Sequence, residues 1–100
     1  MKRLLALSAL FAVLISSSAY AERFSNFPAY GICTGDSVRC RENPGKKSKI
    51  IKRINKGDEV QVVGQRNAGG ELWYEVYTSP DSEDEEGPFW VSARYIEPEH

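Results

Sequence analysis

The chain has 100 residues, of which 41% are hydrophobic and 27% charged, so it has room for one small domain. Its thirteen basic and fourteen acidic side chains give a formal net charge of −1 at pH 7, which leaves no basic excess to indicate nucleic-acid binding. A domain of this size excludes Rossmann folds, TIM barrels and nearly every two-substrate enzyme architecture.

The first 21 residues have the features of an export signal. Lys2 and Arg3 form a basic start, residues 4–15 are apolar, and residues 19–21 (Ala-Tyr-Ala) have the small-x-small pattern of a cleavage site. A membrane anchor is the alternative, but an apolar helix of that length spans about 18 Å, whereas a bilayer core needs about 30 Å. We therefore expect cleavage after residue 21, no membrane span in the mature protein, and a periplasmic or secreted location.

Export also gives a meaning to the two cysteines, Cys33 and Cys40. Thiols pair in an oxidising compartment, and closing so short a loop would restrict the unfolded chain by roughly 2–2.5 kcal/mol. A zinc site needs more ligands than two cysteines and the single histidine, His100, can provide. A catalytic thiol lacks a plausible general base. The sequence therefore predicts a disulfide between Cys33 and Cys40.

The rest of the chain is divided into short strand-prone runs by turn residues, after an irregular extension at residues 22–29. No window of ten or more residues beyond residue 21 repeats at the spacing of a helix. Four to six short strands in fewer than 70 residues indicate a small antiparallel barrel or sandwich. The strand-prone runs are residues 31–34, 38–41, 50–54, 59–63, 72–77, 89–91 and 95–96, and the turns include residues 35–37, 42–47, 56–58 and 67–70.

Four motifs in chain order resemble those of the bacterial SH3 (SH3b) domain family. Residues 38–44 (Val-Arg-Cys-Arg-Glu-Asn-Pro) are similar to its L-N-V-R-x-G-P segment, and residues 49–62 resemble its K-V-I … K-G-D-x-V-x-V stretch. Residues 73–76 (Trp-Tyr-Glu-Val) resemble its W-Y-K-V strand, and residues 90–96 (Trp-Val-Ser-Ala-Arg-Tyr-Ile) resemble its closing W-V-S-x-R-Y-L. The resemblance covers about residues 31–97.

This resemblance implies an all-β fold, namely a small SH3-like barrel of about five antiparallel strands with a short 3₁₀ turn before the last strand. It places an SH3b-like domain at residues 30–98. It also puts Cys33 and Cys40 on facing strands, where family members carry small or aliphatic residues. The chain departs from the family between residues 77 and 89, where an extended acidic loop replaces a tight hairpin.

Charge is divided along the sequence. Residues 39–56 hold eight basic groups and one acidic group, whereas residues 71–86 hold seven acidic groups and no basic one. Solvated surfaces would account for both, but the first segment could also bind an anionic partner and the second a cationic one. Calcium could occupy the acidic loop, although the spacing does not match an EF-hand. The basic candidates are Lys46, Lys47, Lys49, Lys52 and Arg53, and the acidic loop candidates are Asp81, Glu83, Asp84, Glu85 and Glu86.

Aromatic residues are concentrated near the end of the chain, and most of them are expected in the core of so small a barrel. Because side chains alternate along a strand, Trp73 and Tyr77 share one face, opposite Tyr74. Exposed aromatics beside polar groups form sugar or peptide grooves, so Trp73 and Tyr77 are the candidates for ligand contact. Trp90 could also be exposed, but the resemblance places it with the closing motif, in a structural role.

The residues for catalysis are not apparent in the sequence. The only histidine is the last residue, and paired carboxylates occur only in the acidic loop, where solvent opposes a fixed geometry. We therefore expect a non-catalytic binding protein without metal or cofactor, with no nucleic acid as partner and with no indication of its oligomeric state. The resemblance implies an envelope module that recognises peptidoglycan or an envelope component. The alternative is an adaptor, inhibitor or immunity-type factor that docks on a partner protein.

Overall fold

The computed structural model describes residues 24–99, which contain seven β-strands and a 3₁₀ turn. The predicted signal peptide, residues 1–21, lies outside the described residues. Within residues 24–99, no helix is long and apolar enough to cross a membrane. The strands are β1 (Ala29–Cys33), β2 (Val38–Arg41), β3 (Ile50–Ile54), β4 (Glu59–Ala68), β5 (Glu71–Thr78), β6 (Glu86–Ser92) and β7 (Ile96–Pro98), and the 3₁₀ turn is Ala93–Tyr95.

All seven strands belong to one antiparallel sheet, in the order β3-β2-β6-β5-β4-β1-β7. The prediction of an all-β, SH3-like fold with a 3₁₀ turn before the last strand is confirmed. The expected count of about five strands is wrong, and the sheet is not closed, because β3 and β7 are its two ends. The count of about five came from the family resemblance, whereas the seven strand-prone runs of the sequence each overlap one of the seven strands.

The sheet curls around a single hydrophobic core. Every strand contributes at least one buried apolar side chain to the same cluster, which a flat sheet could not do. Alternation is clearest in β5, where Tyr74 and Val76 are fully buried in the core. The fully buried apolar members are Cys33, Cys40, Val60, Val62, Tyr74, Val76, Val91 and Ile96.

The segment before β1 also takes part in the core. Phe24 is buried, and its ring meets the Tyr74 ring edge-on, with 5.1 Å between centroids and an interplanar angle of 89°. Phe27 lies beside Phe24 but remains partly exposed. The described part of the predicted extension, residues 24–28, thus covers one side of the core through Phe24.

The two cysteines lie on strands that are not neighbours. β1 pairs with β4 and β7, whereas β2 pairs with β3 and β6, so Cys33 and Cys40 are not cross-strand neighbours in the sheet. Both are fully buried in the same cluster, and both are free thiols in the structure. Burial raises the pKa of Cys33 and raises that of Cys40 to about 12.

The acidic loop is shorter than the sequence predicts, and its backbone is held by internal hydrogen bonds. β6 begins at Glu86, three residues before the predicted strand, and Pro80 is buried. Inside the loop, the Ser82 hydroxyl donates to the Ser79 carbonyl at 2.8 Å and accepts from the backbone N–H of Asp84 at 3.1 Å. These bonds hold the loop carboxylates on a defined backbone.

Candidate functional site

A groove of about 650 Å³ opens on the face of the sheet opposite to the core. It lies beside the pairing of β2 with β6, which consists of Arg41 with Trp90. The β1–β2 turn and the β2–β3 loop complete its walls. The groove is lined by Asp36, Ser37, Val38, Arg39, Arg41, Lys46, Glu71, Trp73, Ser92, Arg94 and Tyr95.

Arg41 is the most unusual residue of the groove, because it is charged yet only 8% exposed. One of its nitrogens, Nη1, donates to the carbonyl of Ser48 at 2.8 Å. Among residues 24–99, no carboxylate pairs with it, since the ion pairs found there are Lys52 with Glu86 and Arg94 with Glu71. A largely buried arginine without a counter-ion among these residues is costly, so it marks the groove as a site that an anion would complete.

One wall of the groove is formed by β5 and β6. Trp73 is opposite Ser92 in the ladder, and its indole nitrogen is buried without an acceptor in the described part of the chain. The Ser92 hydroxyl donates to Oε2 of Glu71, and Nε of Arg94 lies 3.6 Å from the same oxygen. Because Arg94 compensates the charge of Glu71, that carboxylate is not the counter-ion of Arg41.

The basic residues predicted as ligand contacts do not form a single patch. Lys46 lines the groove, whereas Lys52 and Arg53 line a second, smaller pocket of about 290 Å³ beside the acidic loop. Lys47 and Lys49 are exposed and line neither of these pockets. Of the five basic candidates, the structure therefore brings only Lys46 to the groove.

The basic and acidic segments also meet in space, although they are separate in the sequence. Nζ of Lys52 is 2.9 Å from Oε1 of Glu86 and 3.3 Å from Oγ1 of Thr78. The other acidic candidates, Asp81, Glu83, Asp84 and Glu85, are exposed. Charge separation in the sequence is therefore reduced in the fold, at the junction of β3 with the start of β6.

The aromatic candidates are less exposed than the sequence indicated. Trp73 shares the groove face with Glu75 and Tyr77, as the alternation predicted, but it is only 3% exposed. It thus forms part of the groove wall, and the expectation of an exposed aromatic platform there is wrong. Tyr77 is half-buried and does not line the groove. Trp90 is buried outside the core cluster, with the Arg66 guanidinium 5.3 Å from its ring centroid.

A second group of acidic side chains surrounds Tyr30 on β1. The Tyr30 hydroxyl donates to Oδ2 of Asp81 at 2.5 Å, and this bond is the main reason why the pKa of Tyr30 is raised. The pKa of Glu59 is raised by a hydrogen bond with the Glu99 carboxyl. Within residues 24–99, no cluster of three or more acidic, histidine or cysteine side chains is arranged to hold a metal ion.

Sequence reasoning missed the arginines of the groove. Arg39 and Arg41 were assigned to a strand but not proposed as ligand contacts, and Arg94 belongs to the closing motif. The available signal was the alternation of these arginines with Val38 and Cys40, which puts both basic side chains on the face opposite to the core. The sequence around Arg41 does not indicate that its side chain is buried, because this burial depends on the contact with Ser48 in the following loop.

Comparison with known proteins agrees with this architecture. The family model described as the bacterial SH3 domain matches residues 36–97. Searches of curated proteins and of solved structures returned no match. Bacterial SH3 domains are binding modules that often act at the cell wall and are generally non-catalytic. Since the match spans more than half of the chain, from β2 into β7, the protein belongs to the bacterial SH3 domain family.

Proposed function

We propose that the protein is an exported, non-catalytic binding module of the cell envelope, which recognises peptidoglycan or another envelope component through the groove beside β2. The observation that carries this proposal is the buried Arg41, whose charge has no counter-ion among the described residues. Envelope polymers offer many carboxylates, so they supply the charge that the groove lacks. Trp73 lies in the wall of the groove, although it is only 3% exposed.

Export and the disulfide are part of the same proposal. The pattern of residues 1–21 supports a signal peptide, and the burial of Cys33 and Cys40 in one cluster supports their pairing once the chain reaches an oxidising compartment. The intact mass of material from the periplasm or culture medium tests both points. We expect a chain that begins at Glu22 and is two hydrogens lighter than its reduced form. A full-length chain with two free thiols would contradict both.

Sedimentation with purified sacculi tests the function. We expect the parent protein to co-sediment and an Arg41→Gln variant to remain in the supernatant at the same salt concentration. Lys56→Gln is the matched control, because it removes one positive charge from an exposed turn outside the groove. Each variant is checked for folding by its thermal unfolding. If parent and Arg41→Gln sedimented equally, the groove would not be the binding site.

The alternative function, docking on a partner protein, rests on a different surface. The acidic loop has a backbone fixed by Ser82, and it presents Glu83, Asp84 and Glu85 to solvent. Such a loop would attract a basic protein and accelerate its association. Capture from an envelope extract with the parent and with a variant carrying Asp84→Asn and Glu85→Gln distinguishes the two functions. Loss of a captured protein with undiminished sacculus binding would favour the alternative.

A further inference from the structure

The groove contains two hydrogen-bond donors for which the described residues provide no acceptor. The first is the guanidinium of Arg41, which gives one bond to the Ser48 carbonyl and has further donors without a partner. The second is the buried indole N–H of Trp73. A buried donor without an acceptor costs on the order of 1–3 kcal/mol, and more when it is charged. This cost falls on the Trp73 N–H, whereas the remaining donors of Arg41 are not closed off from solvent, so a ligand that brings acceptor oxygens can reach them in the groove.

The groove's own acidic groups do not fill this role. Glu71 is engaged by Ser92 and Arg94 at one end, and Asp36 is exposed in the β1–β2 turn. The lining contains four basic side chains against these two acidic ones, so its formal charge is +2. The groove therefore has a net positive charge but also contains acidic side chains. This favours a ligand group with a single negative charge over a polymer with a high charge density.

The shape of the anchoring group selects the kind of anion. A guanidinium presents its donors in a flat fork, which matches the two oxygens of a carboxylate. The indole of Trp73 lies in the wall beside it but is only 3% exposed, so it borders the anion site without offering a packing surface. A neutral sugar offers no charge to Arg41, and a phosphate with two negative charges would be repelled by Asp36 and Glu71.

We propose that the ligand of the groove is a peptide with a free carboxylate, held by the fork of Arg41 beside the wall that contains Trp73. This inference rests on the proposed function, since it concerns the same groove, and it names the chemical group that the groove recognises. Arg39 and Lys46 line the groove as well, and their exposed charges attract the anion without fixing its orientation.

Titration with small probes tests the inference. The probes are N-acetyl-Ala-Ala with a free carboxylate, the same dipeptide as its C-terminal amide, methyl phosphate and N-acetylglucosamine. The readout is the indole N–H signal in ¹H–¹⁵N spectra of the folded protein, which contains two tryptophans, Trp73 and Trp90. We expect the free carboxylate to shift the Trp73 signal more than that of Trp90, and the amide to bind at least about tenfold more weakly.

Two variants connect the response to Arg41. Arg41→Lys keeps the positive charge but loses the fork, so we expect it to weaken binding of the free dipeptide by about tenfold. Arg41→Gln abolishes binding, and Lys56→Gln leaves it unchanged. Because Arg41→Gln could also disturb the bond to Ser48, Arg41→Lys with an unchanged unfolding temperature is the decisive variant. Equal affinity of Arg41→Lys and the parent would overturn the assigned role of the fork.

The outcomes separate this inference from the proposed function. If the protein binds sacculi through Arg41 but does not distinguish the free dipeptide from its amide, the carboxylate anchor is wrong and the function stands. Tighter binding of methyl phosphate or of N-acetylglucosamine than of the free dipeptide also overturns the anchor. If the free dipeptide binds through Arg41 while sacculi do not, the anchor stands and the envelope target is wrong.

Discussion

Nζ of Lys52 on β3 lies 2.9 Å from Oε1 of Glu86 at the start of β6, and this contact joins the basic segment of the chain to its acidic loop. The side chains of the pair are 31% and 59% exposed, so solvent screens the attraction. Lys52 also reaches Thr78 on the inner face of β5. The ion pair is therefore a weak interaction between β3, an edge strand of the sheet, and the end of the acidic loop.

We predict a coupling energy of about 0.2–1 kcal/mol for this pair. The measurement is a double-mutant cycle with Lys52→Met and Glu86→Gln, followed by urea unfolding at low and at high salt. The coupling should decrease as salt rises, because exposed charges are screened. A coupling of zero at low salt would show that the two charges do not meet in solution.

Removing the buried side chain of Ile96 should destabilise the domain strongly. Ile96 is fully buried in the core, so Ile96→Ala leaves a cavity and is expected to cost about 2–5 kcal/mol. Ile51→Ala is the matched control, since Ile51 is 43% exposed on β3, and its cost should stay below about 1 kcal/mol. Urea unfolding gives both values. Equal losses of stability in the two variants would mean that Ile96 is not buried in the core.

Two glycines in strands should respond differently to alanine. A Cβ on Gly31 would lie 2.8 Å from Cγ2 of Ile96 and 3.1 Å from the backbone oxygen of Glu97, so Gly31→Ala forces β1 and β7 apart. We expect a loss of about 1–3 kcal/mol. At Gly64 the nearest atom is the mobile Oε1 of Glu75, at 3.1 Å, so Gly64→Ala should be nearly neutral. Thermal unfolding of the two variants tests the difference, and a neutral Gly31→Ala would contradict it.

The reduced protein should lose stability in alkaline solution because of Cys40. Burial raises the pKa of its thiol from 9.0 to about 12, so the unfolded chain releases this proton first as the pH rises. The contribution is fully present below about pH 9 and is lost as the pH approaches 12. Urea unfolding of the reduced protein between pH 8 and 11 should show this decline. It should be smaller in Cys40→Ala, and in the oxidised protein if the two thiols pair.

The fold could be predicted further than the site could. Strands such as β2 and β5 are visible in the sequence because Val38 and Cys40, or Tyr74 and Val76, alternate with polar or outward-facing residues over a local stretch. The order of strands in the sheet depends on pairings between distant segments, which periodicity does not contain. For example, periodicity does not show that β1 lies between β4 and β7 while β2 lies between β3 and β6.

The residues of the candidate site were harder to predict from the sequence than the strands. Counting charges identifies the basic segment, but it weights every lysine and arginine equally. In the folded chain Lys52 is used in an ion pair, while Arg41 is withdrawn from solvent by the sheet and by the Ser48 carbonyl. Burial and pairing decide which charge can attract a ligand, and both are properties of the tertiary structure.

The position of β1 determines how much of the chain must be kept to obtain a folded domain. The family match begins at residue 36, yet β1 lies between β4 and β7, and Phe24 packs on Tyr74. A fragment trimmed to the matched residues would leave β7 without its neighbour and expose an edge of β4 together with part of the core. Unpaired edges of this kind recruit strands from other molecules. The smallest fragment suited to expression therefore starts upstream of Phe24, and one cut at the limits of the match would aggregate.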